Sequence, residues 1–471
     1  MMFLLFYLPA VLAVYYLAPN KLKNLVLFVF SLLFYAWGEP VYVGLMIFST
    51  VLDYTCGLTA ERFRGTRKAK IALLVSVVVN LSLLGVFKYA DFLIATVNSV
   101  FGCALPLLGL PLPIGISFYT FQTMSYTIDV YRGDTKAQRN IISFGAYVSL
   151  FPQLIAGPIV RYQTIAEQMD RRTHSSDQFS LGVRRFVCGL AKKVLLANNI
   201  GLLWNTISQT DAANLTVLSA WLGLIAFSFQ IYFDFSGYSD MAIGLGRMFG
   251  FYFLENFNFP YMSKTITEFW RRWHISLSSW FREYVYIPLG GNRKGLVRQL
   301  FNIMVVWMLT GLWHGANWNF VLWGVYYGVL LMIEKLFLLK WLDKLPNWIG
   351  HIYSMFLVVI GWTIFAQTDI HQLGEYLKTM FGMGHVAVAD SDFLYFLGSN
   401  AVLLVALIAA SIDYRVWMRR LKLGKDATVY DTIATSKGWT IAKPVLMVVF
   451  LLVSFAFLVG DSYNPFLYFR F

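Results

Sequence analysis

Apolar runs of about 20 residues recur along almost the whole chain, separated by short clusters of Lys and Arg, and nothing else constrains its fold as strongly. In hydrocarbon every backbone N–H and C=O must find a partner within the protein, so runs of this length predict helices. Only 13% of the residues are charged and 58% are hydrophobic, with a mean hydropathy of +0.60. A soluble chain carries roughly 25% charged residues. The expected fold is an all-α polytopic membrane protein, one integrated domain over residues 1–471.

Candidate spans cover about 2–18, 23–38, 40–60, 70–90, 114–130, 183–206, 216–245, 297–311, 317–338, 348–366, 392–413 and 443–460. Met1 to Ala18 read as a retained first helix, because neither a charged n-region nor a small-residue cleavage site is present. The net charge of +13 is spread over loop clusters rather than a basic soluble domain. That excludes nucleic-acid binding and points to cytoplasmic loops. Lys21 and Lys23 follow the first span and Arg62 to Lys70 the third, so both are cytoplasmic only with the amino terminus outside. The same alternation puts Arg132 to Arg139, Arg161 to Lys193, Arg271 to Arg298, Lys335 to Lys344 and Arg415 to Lys443 inside. Twelve crossings then leave the carboxyl terminus outside as well. Cys56, Cys103 and Cys188 have no metal-ligand spacing and suggest no disulfide framework.

Two segments resist this pattern. Ile141 to Ile159 is flanked by basic clusters and contains Pro152, Gly157 and Pro158, which predicts a re-entrant or buried broken segment. Lys264 to Lys294 is too polar to span. Its first half alternates aromatic and basic residues, as in an amphipathic helix that lies in the cytoplasmic interface or enters the protein from that side. No internal repeat points to an inverted-repeat transporter, and no Gly-rich phosphate loop to an ATP-driven pump.

His314 stands between two apolar stretches, in Leu309-Thr310-Gly311-Leu312-Trp313-His314-Gly315-Ala316-Asn317. An ionisable residue there is a satisfied structural group near a helix end, or it faces a wet cavity and does chemistry. About forty residues earlier runs Glu268-Phe269-Trp270-Arg271-Arg272-Trp273-His274-Ile275-Ser276-Leu277-Ser278-Ser279-Trp280-Phe281-Arg282, followed by Tyr286-Ile287-Pro288-Leu289-Gly290-Gly291-Asn292.

This pairing resembles the membrane-bound O-acyltransferase (MBOAT) family, and within it the bacterial branch that O-acetylates exported polysaccharides. Supporting runs are Pro113 to Gln122, Phe151 to Ile159 and Tyr232 to Asp240. The resemblance implies a ring of about 11–12 transmembrane helices with re-entrant segments around a central funnel, and a catalytic core over about 105–340. It also implies that His314 is the essential catalytic residue, with His274 nearer the cytoplasmic entrance. The donor would be acetyl-CoA or another acyl thioester, with no permanently bound cofactor. Members of this branch usually act with a separate extracytoplasmic esterase-like (SGNH-type) transferase. The acceptor would be alginate, peptidoglycan, cellulose or another wall glycan, and the location the bacterial cytoplasmic membrane.

Acetyl transfer from a thioester to a hydroxyl needs a base on the attacking oxygen and stabilisation of a tetrahedral oxyanion. A neutral imidazole suits the first task because its ordinary pKa lies near working pH. His314 is therefore the expected general base, with a covalent acetyl-imidazole as the variant. His274 is a second base, a group that orients the donor, or a structural residue. Arg271, Arg272 and Arg282, with Arg293 and Lys294, either bind the donor's phosphates or meet anionic lipid headgroups. Asp234 and Asp240 lie in an apolar span and should be paired or face the cavity, where a histidine-orienting role stays open. The terminal segment Asp461 to Phe471 is rich in aromatic residues. It is either an interfacial anchor or a tail that folds back, in which case Tyr468 accepts the acetyl group and passes it outward.

Two other functions compete. One is D-alanyl transfer onto teichoic acid by the related branch. The other is transport of a small substrate, which predicts no covalent transfer and tolerance of His314→Gln.

Overall fold

The computed structural model describes residues 1–155, 157–211, 214–383, 386–413 and 437–460, and every regular element among them is helical. Among the described residues, nine helices are long and apolar enough to cross a membrane, or ten when one bent pair counts as a single span. The chain is thus an all-helical polytopic membrane protein. It divides into two compact units, residues 1–186 with 241–254 and residues 187–240 with 255–471.

This count is lower than the twelve crossings expected, for three physical reasons. The helical run Phe3–Leu17 is shorter than a full crossing. Ile116–Arg132 forms a helix, but its Ser, Thr, Gln and Asp129 make it too polar for a lipid-facing span, and nearly all of it is buried. The expected span at 392–413 is two helices, Ser391–Ser399 and Ala401–Ser411, bent by 57°. At that break the Asn400 side chain donates to the Phe396 carbonyl at 2.9 Å, a local bond that competes with regular helix geometry.

In the first unit, Val43–Arg62, Arg67–Leu84 and Ile116–Arg132 pack together around a fully buried carboxylate. Asp53 accepts from the Ser76 hydroxyl, from Asn80 Nδ2 at 2.8 Å and from Thr127 Oγ1 at 3.3 Å. Ser49 in turn donates to Asn80 Oδ1 at 2.6 Å. Satisfied in this way, a carboxylate at membrane depth locks helices to one another.

The broken segment expected at 141–159 is present. Asn140 caps the helix Ile141–Ser149 by accepting from Ile142 N–H at 2.9 Å, and turns follow from residue 151. Gln122 and Gln153 both donate to the Tyr147 carbonyl at 3.0 Å, and the Tyr147 hydroxyl donates to the Val160 carbonyl at 3.0 Å. Side chains thus replace the backbone partners that a broken helix loses.

Candidate active site

All the site residues described below belong to the second unit. The stretch read as one amphipathic helix is two short ones, Ile266–Arg272 and Ile275–Phe281. The break falls at His274, whose φ of 45° and ψ of 53° lie in the left-handed region. A residue with a Cβ adopts that conformation at a cost of order 1–3 kcal/mol, so surrounding contacts must hold it. Ile266, Phe269, Trp270, Trp273, Leu277, Trp280 and Phe281 are all buried. The segment therefore enters the protein rather than lying flat on a membrane surface.

Two residues that the sequence reading did not single out hold it there. Glu334 is fully buried and accepts from the N–H groups of Ile266 at 2.6 Å and Thr267 at 2.8 Å, and from the Thr267 hydroxyl at 2.6 Å. The Tyr353 hydroxyl donates to the same carboxylate at 3.2 Å. The anion thus sits on the free N–H groups at the start of the first short helix. Asn256, also fully buried, serves the second helix: its carbonyl accepts from Ile275 N–H at 3.0 Å and its Oδ1 from Ser276 N–H at 3.1 Å. Glu334 was visible as a lone acid after the apolar run Leu330 to Ile333. Asn256 carried no comparable signal.

His314 is the last residue of the helix Gly295–His314 and is 7% exposed. Trp318–Ile333 returns alongside, at a distance that only glycine permits. A Cβ at Gly311 would stand 2.2 Å from the Phe320 carbonyl oxygen and 3.2 Å from Gly324 Cα. The imidazole packs edge-on against Trp323, with ring centroids 5.0 Å apart, and Phe365, at 5.4 Å. Asn319 donates to the carbonyls of Ile364 and Phe365 at 3.2 and 3.1 Å, fixing the wall that carries Phe365.

The structure brings the two histidines to one indole. Trp313 lies 5.8 Å from the His274 ring and 5.1 Å from the His314 ring, centroid to centroid. Phe235 closes on His274 at 4.7 Å. Burial pushes the His274 pKa below the ordinary imidazole value, so the ring is neutral at physiological pH.

The other expected residues fall elsewhere. Arg272 is committed to Glu268, at 2.9 Å from Nε, and to the Asn258 carbonyl, at 3.1 Å. Arg271 and Arg282 are exposed. Asp234 and Asp240 form ion pairs with Lys193, at 2.5 Å, and Lys192, at 2.7 Å. Those lysines lie within the long helical run Ser176–Ser208 rather than in a loop. Tyr468 lies outside the described residues.

Known proteins can be set against this geometry. The profile of the MBOAT, membrane-bound O-acyltransferase family, matches residues 136–341, which include both histidine motifs. A probable alginate O-acetylase AlgI of Pseudomonas putida is 42% identical over 481 aligned residues, covering 100% of this chain and 99% of that protein. The chain belongs to the MBOAT family. A peptidoglycan O-acetyltransferase of Helicobacter pylori is 30% identical over 100% of this chain and 96% of its own length. A teichoic acid D-alanyltransferase of Bacillus subtilis is 28% identical over 55% of this chain and 69% of its own. The chain is accordingly a membrane O-acyltransferase.

Proposed function

We propose that this enzyme takes an acetyl group from a cytoplasmic thioester, acetyl-CoA, and passes it across the bacterial cytoplasmic membrane for O-acetylation of an exported polysaccharide, alginate first among the candidates. The observation that carries the reading is the pair of buried imidazoles sharing Trp313. Full-length similarity to an alginate O-acetylase supports the acetyl group and the polymer. The D-alanyltransferase likeness covers only 55% of the chain, so the competing reading, D-alanyl transfer, has less support.

In this reading His314 is the general base. It takes the proton of the attacking hydroxyl, whose oxygen adds to the thioester carbonyl. The tetrahedral intermediate then collapses, the C–S bond breaks and the departing sulfur recovers the proton from the imidazolium. The covalent variant forms an acetyl-imidazole at His314 first. His274 supplies the second imidazole. Arg271 and Arg282, exposed and cationic, meet the donor's phosphates from the cytoplasmic side, beside Arg272 held by Glu268. Tyr468 in the outer tail receives the acetyl group and hands it to a separate esterase-like transferase. Both termini lie outside.

The test is retention of label by the purified protein incubated with [14C]acetyl-CoA. Label on the wild type that is absent from His314→Ala, and reduced or relocated in Tyr468→Phe, supports the reading. Equal labelling of wild type and His314→Ala would overturn it.

A further inference from the structure

The hydrogen bonds around Asn256 determine which nitrogen of His274 carries its proton. Asn256 Oδ1 lies 3.1 Å from Ser276 N–H and 2.9 Å from the Ser276 hydroxyl. A backbone N–H can only donate, so the amide atom facing it is the oxygen. His274 Nδ1 stands 3.2 Å from the same oxygen. An oxygen with no proton gives Nδ1 only one favourable state, the protonated one. In a neutral ring the proton on Nδ1 leaves Nε2 with a bare lone pair.

His274 is 1% exposed, and its Nε2 has no hydrogen-bond partner among the described residues. A buried acceptor without a partner costs about 1–3 kcal/mol. Such an atom is explained by a ligand or water that supplies the missing donor. Among the described residues, the side chains in ring or hydrogen-bond contact with His274 are Phe235, Trp313, Asn256 and Ser276, and none of these is ionisable near neutral pH. The tautomer is therefore set by Asn256 and not by a neighbouring charge. The price is paid by Asn256 Nδ2, which has no hydrogen-bond partner among the described residues.

We propose that Asn256 is a positioning residue of the acyl transfer: its Oδ1 holds His274 as the Nδ1–H tautomer and presents the Nε2 lone pair to a hydrogen-bond donor of the bound substrate. The same Asn256 supports the left-handed turn that swings His274 out of the helix line, since it binds the two N–H groups that follow the turn. Backbone direction and proton position thus come from one side chain. The inference rests on the acyl-transfer reading for its substrate, but its geometry is testable without it.

The experiment is 15N NMR of the full-length protein in lipid nanodiscs with labelled histidine, the His274 signals being assigned by their loss in His274→Gln. The wild type is expected to show a protonated Nδ1 and an unprotonated Nε2. The Nε2–H tautomer in the wild type would overturn the proposal directly. Asn256→Asp keeps the acceptor and should keep the tautomer, whereas Asn256→Leu should lose it. A His274 signal in Asn256→Leu identical to the wild type would also overturn it.

On acetyl transfer, Asn256→Leu is expected to lower kcat by about a hundredfold to ten-thousandfold, the upper figure being the loss seen when a general-base histidine is held in the wrong tautomer. Asn256→Asp should recover most of that loss, with the acid limb of its pH profile moved upward by the added negative charge. Full acetyl transfer by His274→Gln alongside the expected NMR signals would overturn the catalytic half of the proposal and leave the geometry standing.

Discussion

A neutral imidazole on a left-handed backbone is an uncommon combination, and at His274 it has a measurable consequence for stability. Burial holds the folded pKa below the unfolded value of about 6.5. Between the two values the unfolded chain binds the proton and the folded chain does not, so stability rises with pH there and is lost as pH falls. Thermal unfolding should therefore shift to lower temperature between about pH 7 and pH 5, and His274→Gln should remove much of that slope. An unchanged slope in the variant would mean that His274 is solvated. Both histidines were legible in the sequence: His314 because an aromatic, ion-poor surrounding makes a lone imidazole conspicuous, and His274, which follows Arg271 and Arg272, because its motif pairs with that of His314 in the family resemblance. Asn256 was not, since an Asn among Glu255, Phe257, Asn258 and Phe259 looks like any loop residue until the chain folds. The role expected for Asp234 and Asp240 also depended on partners that sequence cannot assign, and those partners are Lys193 and Lys192.

Two elements deliver the site, each with its own vulnerability. The helix pair Gly295–His314 and Trp318–Ile333 depends on the missing side chain at Gly311, so Gly311→Val forces the Phe320 carbonyl away. Overpacking of this kind costs about 1–3 kcal/mol and moves His314 with its helix. Activity should fall by more than the loss of folded protein accounts for, measured as kcat per folded molecule. The entering segment depends on Glu334. Glu334→Ala strands the N–H groups of Ile266 and Thr267, at about 1–3 kcal/mol each. Thermal unfolding should drop clearly, with Glu334→Gln intermediate because it retains one acceptor oxygen. The sequence showed that 264–294 cannot span, but one continuous alternation of aromatic and basic residues concealed the break. Helical periodicity carries no mark of a single left-handed residue, which tertiary contacts impose.

On the scale of the whole molecule, apolar run length revealed the all-helical membrane class and most of the spans. It does not separate a lipid-facing span from a helix that is polar and buried by its own unit, such as Ile116–Arg132. Sidedness depends on whether that helix crosses. In a cysteine-free background, Leu107→Cys should react with an impermeant thiol reagent from outside and Asp134→Cys only from inside. Reaction of both from one side would mean that the helix does not cross, and would reverse the sidedness of everything after it. The central claim is acetyl transfer that depends on His314, and reconstitution tests it most directly. Proteoliposomes would carry wild type or His314→Gln, with acetyl-CoA on the cytoplasmic face and the outer transferase and oligosaccharide on the other. The account predicts acetylated oligosaccharide and stoichiometric release of free CoA thiol with the wild type, and neither with His314→Gln. Equal turnover by the two proteins would contradict it.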